Sequence, residues 1–458
     1  MLNYSANGPS GYNLTNSLRF RASASAYLSR TPASTGSRQT FTYSFWMKRG
    51  TLGTLQRFIG VSDNLTGDFI IDWTTSNTLE IYDNGPANVS LITTQVFRDP
   101  SSWYHLVIVY DTTQATTANR VKVYVNGTQV TSFSSAVYPA QNTNSFNNQA
   151  GIPARIGIWP SGSQYFDGYI TEFNFIDGQA LTPSSFGNTN STTGVWQPAK
   201  YTGTYGTNGF YLNFSSIALT SGSNTGLGKD NSGNGNYWNT NNISVTPGTT
   251  YDAMTDVPTL TSATVANYPV WNPTIGFDGT NLNAIMSNGN LTATDANSAS
   301  YNAGTSATFG VTSGKWYWEN TIGSGFPLRT CTGLSFLSNS SPIGYGISYD
   351  PYISSGAIRS YVNSTPTAIQ TSVGTVSAGD IVAIALDADA QTVKWYKNNV
   401  QIGTTLTYTS YLPTGYSFIY PGFWTPNQST ASISTTFGQR PFTYTPPSGF
   451  LALNTFNL

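Results

Sequence analysis

The chain has 458 residues, and Lys, Arg, Asp and Glu together make up only 9% of it, against roughly 25% in an ordinary soluble domain. Aromatic residues reach 14%, and the formal net charge is -1. This composition excludes a mainly helical protein, which needs charged side chains on its solvated faces, and it excludes a basic nucleic-acid-binding surface.

The sequence also argues against membrane insertion and disulfide bonding. Its longest apolar runs fall far short of the ~20 residues that span a bilayer. The first residues contain neither a basic nor an apolar segment, so we expect no signal peptide. Cys331 is the only cysteine, which excludes an intrachain disulfide, and we predict that it is a small buried hydrophobic residue.

The pattern along the first third of the chain is that of β-strands. Phe41, Tyr43 and Phe45 alternate with other residues, and residues 106–110 form a short apolar run. Alternation predicts a strand with one buried face, whereas a continuous run predicts a strand buried on both faces. The alternating run 121–125 is followed by Asn126-Gly127, which predicts a β-hairpin with a type I′ turn.

The same arrangement recurs near the end of the chain. Residues 381–386 form a second apolar run, and residues 393–397 lead into Asn398-Asn399 before a returning segment. We therefore predict one β-sandwich around each block. The segment between them is rich in Gly, Asn, Ser and Thr but keeps large residues such as Trp196 and Trp238, so we predict an ordered bridge that packs against one or both domains.

Two family resemblances follow from longer motifs. LRF at 18–20, FTYSFWMK at 41–48, WYHLV at 103–107, VYVNG at 123–127 and FDGYI at 166–170 together resemble a laminin G or concanavalin A-like jelly roll. SGKWYWE at 313–319, GDIV at 379–382, YKNN at 396–399, FGQRPF at 437–442 and PPSGF at 446–450 together resemble a SPRY domain. Both resemblances imply β-sandwiches.

The predicted fold class is therefore all-β, with two β-sandwich domains joined by an ordered bridge. We assign residues 1–187 to the laminin G/concanavalin A-like sandwich, 188–275 to the bridge and 276–458 to the SPRY-like sandwich. With LGKD at 227–230 and NGNYW at 234–238 in the bridge, the whole chain resembles a virion structural protein of marine tailed bacteriophages. That resemblance implies a position on the virion surface, other virion proteins as partners and a homo-oligomer, with a trimer as one option.

The sequence offers few residues for catalysis. His105 is the only histidine, and it enters a predicted buried strand, so we interpret it as a packing residue. The three glutamates, Glu80, Glu172 and Glu319, are scattered, so the closely spaced acids of a glucanase are absent. Asp387 and Asp389 are interpreted as turn residues. We expect a protein that is not an enzyme.

Cofactors are not expected, although the resemblance to laminin G domains leaves calcium open. Such domains often hold a calcium ion with loop oxygens. Four aspartates lie in or beside predicted loops here, but no ligand set is assigned: Asp63, Asp68, Asp83 and Asp167.

Glycan binding is the most plausible site function, because sugars are recognised by aromatic faces combined with hydrogen-bonding groups. Three aromatic groups are candidates, and packing is the alternative interpretation for each of them. They are Trp159 with Tyr165, then Tyr345 with Tyr349 and Tyr352, and finally Phe423 with Trp424.

The leading functional hypothesis is a virion surface protein, such as a tail fibre, that mediates host attachment through glycan or protein binding. The alternative is a structural protein of the capsid decoration, head fibre or tail wall. A polysaccharide depolymerase is the least favoured hypothesis. The sequence contains no coiled-coil heptads and no shaft repeats, which argues against a long independent fibre.

Overall fold

The computed structural model describes residues 11–276, 284–295, 303–325, 330–337, 345–362, 365–412, 414–416, 418–425 and 432–458. Within these residues the chain is all-β, with a few single-turn 3₁₀ helices. Asn126 and Gly127 have positive φ of 49° and 80°, and Asn398 and Asn399 have 47° and 70°. Both predicted hairpin turns are therefore confirmed, since a type I′ turn needs two such residues.

The described residues fold into two units, the first comprising 11–246 and 250–261 and the second comprising 247–249 and 262–458. The strands of the first unit are Ser17–Phe20 (β1), Tyr27–Arg30 (β2), Thr40–Arg49 (β3), Gln56–Ser62 (β4), Asp68–Trp73 (β5), Thr78–Asp83 (β6), Val89–Val96 (β7), Trp103–Asp111 (β8), Val121–Val125 (β9), Thr128–Gln129 (β10), Phe133–Val137 (β11), Ala154–Ile156 (β12), Gly168–Asp177 (β13), Gly187–Thr189 (β14), Trp196–Pro198 (β15), Phe210–Leu212 (β16), Asn239–Asn241 (β17) and Ala253–Met254 (β18).

The first unit is a sandwich of two eight-stranded sheets. Sheet A has the order β10-β9-β8-β3-β13-β1-β18, with β16 also paired to β13, and sheet B has the order β11-β7-β6-β5-β4-β12-β2-β17. Their facing sides enclose a large aromatic core, in which Phe41, Tyr43 and Phe45 alternate inward from β3. The predicted alternation thus marks the core face of a central strand.

The apolar run 106–110 is buried on both faces, as predicted. Leu106 and Ile108 face the main core, while Val107 and Val109 lie under Phe186 and Tyr201 on the other side of sheet A. A strand covered on both faces has no solvated side, which explains why its sequence does not alternate.

The predicted bridge differs from expectation in its boundaries. Up to Thr261 it is part of the first unit: β16, β17 and β18 pair with β13, β2 and β1. Its large apolar residues enter the core of the sandwich, including Phe210, Phe214 and Trp238. The segment is ordered because it supplies edge strands and core side chains, and the second unit resumes at Ser262.

The second unit is also a two-sheet sandwich. Its strands are Ala284–Ser287 (β19), Thr292–Asp295 (β20), Ala303–Ser306 (β21), Lys315–Ile322 (β22), Cys331–Leu337 (β23), Tyr345–Asp350 (β24), Ala357–Val362 (β25), Thr365–Thr371 (β26), Ile381–Asp387 (β27), Thr392–Lys397 (β28), Val400–Thr407 (β29), Phe418–Thr425 (β30), Ser432–Thr436 (β31) and Leu451–Ala452 (β32). Sheet C has the order β19-β20-β31-β22-β27-β28-β29, with β32 beside β22, and sheet D has the order β21-β30-β23-β24-β25-β26.

Cys331 is fully buried beside Tyr361 and Trp424, in agreement with its predicted packing role. In the part of the chain that the structure describes, no helix has both the length and the apolar character to cross a bilayer.

Candidate functional site on the outer face of sheet B

A tight turn between β12 and β13 lies over the outer face of sheet B. The turn starts at Trp159, whose N–H donates to the Ser163 carbonyl at 3.1 Å, and Gly162 N–H donates back to the Trp159 carbonyl at 2.9 Å. A Cβ on Gly60 of β4 would meet Pro160 at 2.8 Å. Glycine at position 60 therefore allows the turn to lie directly on the sheet.

Arg57 of β4 connects this turn to the sheet. Its guanidinium carbon lies 4.0 Å from the centre of the Trp159 ring, which is within the range of a cation–π contact. Its backbone N–H donates to Gln164 at 3.0 Å, and its backbone is paired with Tyr165. Trp159 and Tyr165, predicted as one group from the sequence, are therefore brought together around Arg57.

Two carboxyl groups lie next to Arg57 on the same face of sheet B, one on each of the next two strands. Arg57 pairs with Asp72 in the β4–β5 register, and Asp72 pairs with Glu80 in the β5–β6 register. Residues paired in this way project to the same face. Asp72 is 1% exposed, whereas Glu80 is half-buried.

The electrostatics of this carboxyl pair disfavours two negative charges. Burial raises the pKa of Asp72, and the negative charge of Glu80 raises it further, while Arg57 opposes the shift. Burial also raises the pKa of Glu80, again opposed by Arg57. Two like charges in contact in a poorly solvated place do not both ionise near neutral pH. The surroundings therefore favour one negative charge over two opposite the Arg57 guanidinium.

The hydrogen bonding of this cluster, which we call the Arg57 cluster (Arg57, Asp72, Glu80 and Trp159), is incomplete. The Arg57 Nε lies 3.6 Å from the Asp72 Oδ2, too far for a hydrogen bond. Among the described residues, Arg57 Nε and Nη1 and Asp72 Oδ1 are buried without a hydrogen-bond partner. Native proteins satisfy most such atoms, so each exception calls for a structural or functional reason.

The other predicted aromatic groups lie elsewhere. Tyr345 begins β24 and is half-buried, with its ring 5.4 Å from that of Tyr416, and Tyr352 is 53% exposed. Tyr349, Phe423 and Trp424 are fully buried. These three predicted loop residues belong to strands β24 and β30 instead, and because their ring faces are packed inside the sandwich they are not available as an exposed sugar-stacking surface.

His105 is built into the first sandwich as a neutral packing residue. Its ring stacks on Trp46 at 4.9 Å, and burial lowers its pKa to about 3. Trp196 Nε1, which can only donate, lies 2.9 Å from His105 Nδ1. The ring proton must therefore sit on Nε2 and point to Ser44 Oγ, 2.9 Å away, so His105 cannot accept a proton from this serine.

The four aspartates considered for calcium are engaged by the protein itself. Asp83 accepts hydrogen bonds from Tyr110, Ser145 and backbone N–H groups, and Asp167 accepts the Ala22 N–H. Asp63 accepts three bonds from its own turn, and Asp68 receives the Asn84 amide. Over the residues that the structure covers, no group of three or more His, Cys, Asp or Glu side chains is placed to hold a metal.

Glu172 forms a second unusual acidic site, at a bulge in β13. The register shifts between Thr171 and Asn174, and Glu172 has a φ of 52°. Its carboxyl lies 2.9 Å from Tyr12 Oη and 2.7 Å from Tyr211 Oη, and the two hydroxyls are 2.9 Å apart. Three contacts need three protons, which are present only when Glu172 is protonated. Burial raises the pKa of Glu172 to about 7.

Comparison with known proteins supports the fold of the first unit. The sequence model for the concanavalin A-like lectin/glucanases superfamily matches residues 22–185. A search of curated protein sequences gives no match. The first unit is thus similar in sequence to concanavalin A-like domains, and the structure of the chain as a whole is all-β.

Solved structures give weaker likenesses. The SPRY domain of human HERC1 is 18% identical over 35% of this chain and 94% of its own, with a TM-score of 0.26. A heptameric SAP-like pentraxin from Limulus polyphemus is 15% identical over 37% of this chain and 78% of its own, with a TM-score of 0.28. Domains LG4-5 of the mouse laminin alpha1 chain are 9% identical over 98% of both chains, with a TM-score of 0.32. Likenesses at this level carry no argument about function.

Proposed function

We propose that the protein is a non-enzymatic, lectin-like component of a bacteriophage virion surface, in a tail fibre or similar appendage, that attaches to host glycan. The observation that carries glycan binding is the Arg57 cluster on a concanavalin A-like sandwich. Lectins are among the members that the matching superfamily names. The virion setting rests on the resemblance of the whole chain to phage structural proteins.

The chemistry of the cluster suits a sugar. Trp159 and Tyr165 are both half-buried, and the backbones of Arg57 and Tyr165 are paired. Glu80 presents carboxyl oxygens at a half-buried position, and the Arg57 side chain between them is 15% exposed. Aromatic faces combined with a few convergent polar groups are the usual composition of such sites.

The geometry also supports binding over hydrolysis. The two carboxyls of a glycosidase stand ~5 Å or more apart so that the scissile bond fits between them. Asp72 and Glu80 are cross-strand partners whose carboxyl groups interact directly, and Asp72 is 1% exposed, so the pair does not flank an open cleft. A serine nucleophile activated by His105 is disfavoured by the proton position on that ring.

A glycan array with the purified chain tests the proposal. We expect binding to host-envelope glycans, and we expect Trp159→Ala to weaken it about tenfold, because stacking on one aromatic ring contributes on the order of 1–2 kcal/mol. Phe456→Ala, an exposed aromatic outside all three candidate groups, is the matched control and should bind as the unchanged chain does. No binding, together with unchanged infection by phage that carries Trp159→Ala, would contradict the attachment role.

The structural alternative differs from a fibre in its expected copy number per particle. A capsid decoration or tail-wall protein should occur in many more copies per particle than a fibre. Quantitative mass spectrometry of virions separates the two roles.

The depolymerase hypothesis has its own test. Release of reducing sugar from host envelope glycan that disappears in Asp72→Asn would establish hydrolysis and overturn the non-enzymatic proposal. We expect no release from either protein.

A further inference from the structure

A small pocket opens between the two sheets of the first unit, away from the Arg57 cluster. Its apolar walls come from both sheets and from the segment 188–261, and include Val61, Phe175 and Phe210. The volume open to the centre of a water molecule is about 20 Å³, and one water needs roughly 10–15 Å³ on that measure. The pocket therefore has room for one or two small atoms or molecules.

Two buried N–H donors line this pocket without a partner. Trp238 is 4% exposed and Asn147 is 2% exposed. Among the described residues, no acceptor lies within hydrogen-bond distance of Trp238 Nε1 or Asn147 Nδ2. The Asn147 Oδ1 accepts the Tyr43 hydroxyl at 3.2 Å, so the amide group is the part left unsatisfied. Leaving a buried donor unpaired is costly, and two in one pocket point to an external acceptor.

The third polar group of the pocket is a cation. The Arg30 guanidinium donates to the Asn236 side chain at 2.5 Å and, at 3.5 Å, to the Asn208 carbonyl. It forms no ion pair within the residues that the structure covers. Burial lowers the pKa of Arg30, and the charges of Asp230 and Asp177 oppose the shift from a distance.

Those two aspartates are already occupied by other donors. Asp177 receives N–H groups from Ser37, Asn148 and Asn208. Asp230 receives the N–H groups of Tyr211, Ser232 and Asn236. Arg30 thus enters the pocket as a half-buried positive charge without a carboxylate in direct contact.

We propose that this pocket binds a small anion, a halide ion or a single carboxylate group, held by Trp238 Nε1, Asn147 Nδ2 and the Arg30 guanidinium. A water molecule accepts from the same donors but leaves Arg30 without a counter-charge. An anion satisfies the same donors and supplies the counter-charge that Arg30 lacks. This site is separate from the glycan site and does not depend on it.

The direct test is diffraction from crystals of the full chain soaked in bromide. An anomalous peak within hydrogen-bonding reach of Trp238 Nε1, Asn147 Nδ2 and Arg30 is expected. A map with bromide elsewhere but no peak in this pocket overturns the proposal. A second soak in sodium formate tests whether the pocket binds a carboxylate group as well as a halide ion. Bound formate would give planar density without an anomalous signal.

The solution test uses thermal unfolding of the full chain in buffers that contain only large anions, with bromide added. Binding at a few times Kd should raise the unfolding midpoint of the first unit by about 2–4 °C. Asn147→Asp places a carboxylate oxygen where Nδ2 lies, so this near-isosteric variant should fold and lose the bromide response. Trp238→Phe should lose it too.

The matched control is Trp73→Phe, because Trp73 Nε1 is also buried and unpaired but Trp73 does not line the pocket. This variant should keep the full response. An equal midpoint rise in Asn147→Asp and in the unchanged chain would mean that bromide acts elsewhere, and the proposal would fail.

Discussion

Two buried carboxyl groups in the first unit differ in how completely they are hydrogen-bonded. Asp252, beside β18, accepts bonds from Arg19 Nε at 3.1 Å and from Arg21 Nε at 2.8 Å, and its second oxygen accepts Arg21 Nη2 and the Ser244 N–H. Asp72 has one guanidinium at 3.6 Å and an unpaired oxygen. Both are almost fully buried, yet only Asp252 is fully bonded.

The difference separates a structural charge from a candidate functional one. The bonds of Asp252 fix the returning segment 250–257 to β1, so its charge serves the fold directly. The Arg57 cluster also holds a segment, the turn 159–165, against β4. Among the described residues, however, it keeps two donors and one carboxyl oxygen without partners, and a role in the fold alone does not explain them.

The largest expected effect is that of Asp252→Asn. The amide cannot accept from every donor around it, and two buried arginines lose their counter-charge. Breaking a buried ion pair on one side costs about 3–5 kcal/mol, measured as the urea unfolding free energy of the unit that carries the substitution. Lys315→Ala is the control, since this lysine side chain is 44% exposed and its pair contributes below about 1 kcal/mol. Equal losses in the two variants would contradict the comparison.

Glu172 adds a third buried carboxyl, whose bonding is complete only when it is protonated. Its pKa is raised to about 7 in the folded chain, so the folded state holds a proton that the unfolded chain releases near pH 4.3. The stabilisation that this group contributes is fully present below about pH 4.3 and is lost as pH rises through 7, by about 4 kcal/mol in total. The unfolding free energy of the first unit, measured from pH 5 to 8, should therefore decrease with a clear slope as pH rises.

Glu172→Gln should remove that slope, because the amide keeps one donor and one acceptor for the ring with Tyr12 and Tyr211. Asp63→Asn is the control. The pKa of Asp63 is lowered to about 2 by bonds from its own turn, so that residue stays ionised throughout the measured range. A slope in Glu172→Gln as steep as in the unchanged chain would show that another group is responsible.

The fold class could be predicted because its determinants are local. Asn126-Gly127 and Asn398-Asn399 specify their turns by backbone conformation alone, and alternation specifies the buried face. The boundary at Thr261 could not be predicted, because β16, β17 and β18 are short strands that pair with partners far away in sequence. Nothing local in such segments identifies the strand that they join.

The site was half visible in the sequence. Trp159 and Tyr165 are close in sequence, and both lie at Arg57 in the structure. Tyr349 is buried in a strand, as the alternation of Tyr345, Ile347 and Tyr349 with small or polar residues indicates. Asp72 and Glu80 lie at equal distances from the centre of the turn that Thr74 and Thr78 close, so hairpin symmetry could have paired them. The approach of Arg57 to Trp159 is a long-range contact without a sequence signal.

Asp72→Asn should change the unfolding free energy least, and it tests most directly whether Asp72 differs from Asp252. The amide can donate a hydrogen bond to Glu80, and Arg57 keeps the negative charge of Glu80 nearby. We expect a change below about 1 kcal/mol in unfolding free energy at neutral pH. Because the pKa of Asp72 is raised in the folded state, the unchanged chain loses stability as pH rises above the unfolded value, and the variant should not share that loss. A loss as large as that of Asp252→Asn at every pH would make Asp72 a structural charge and remove the physical reason to place a ligand at the Arg57 cluster.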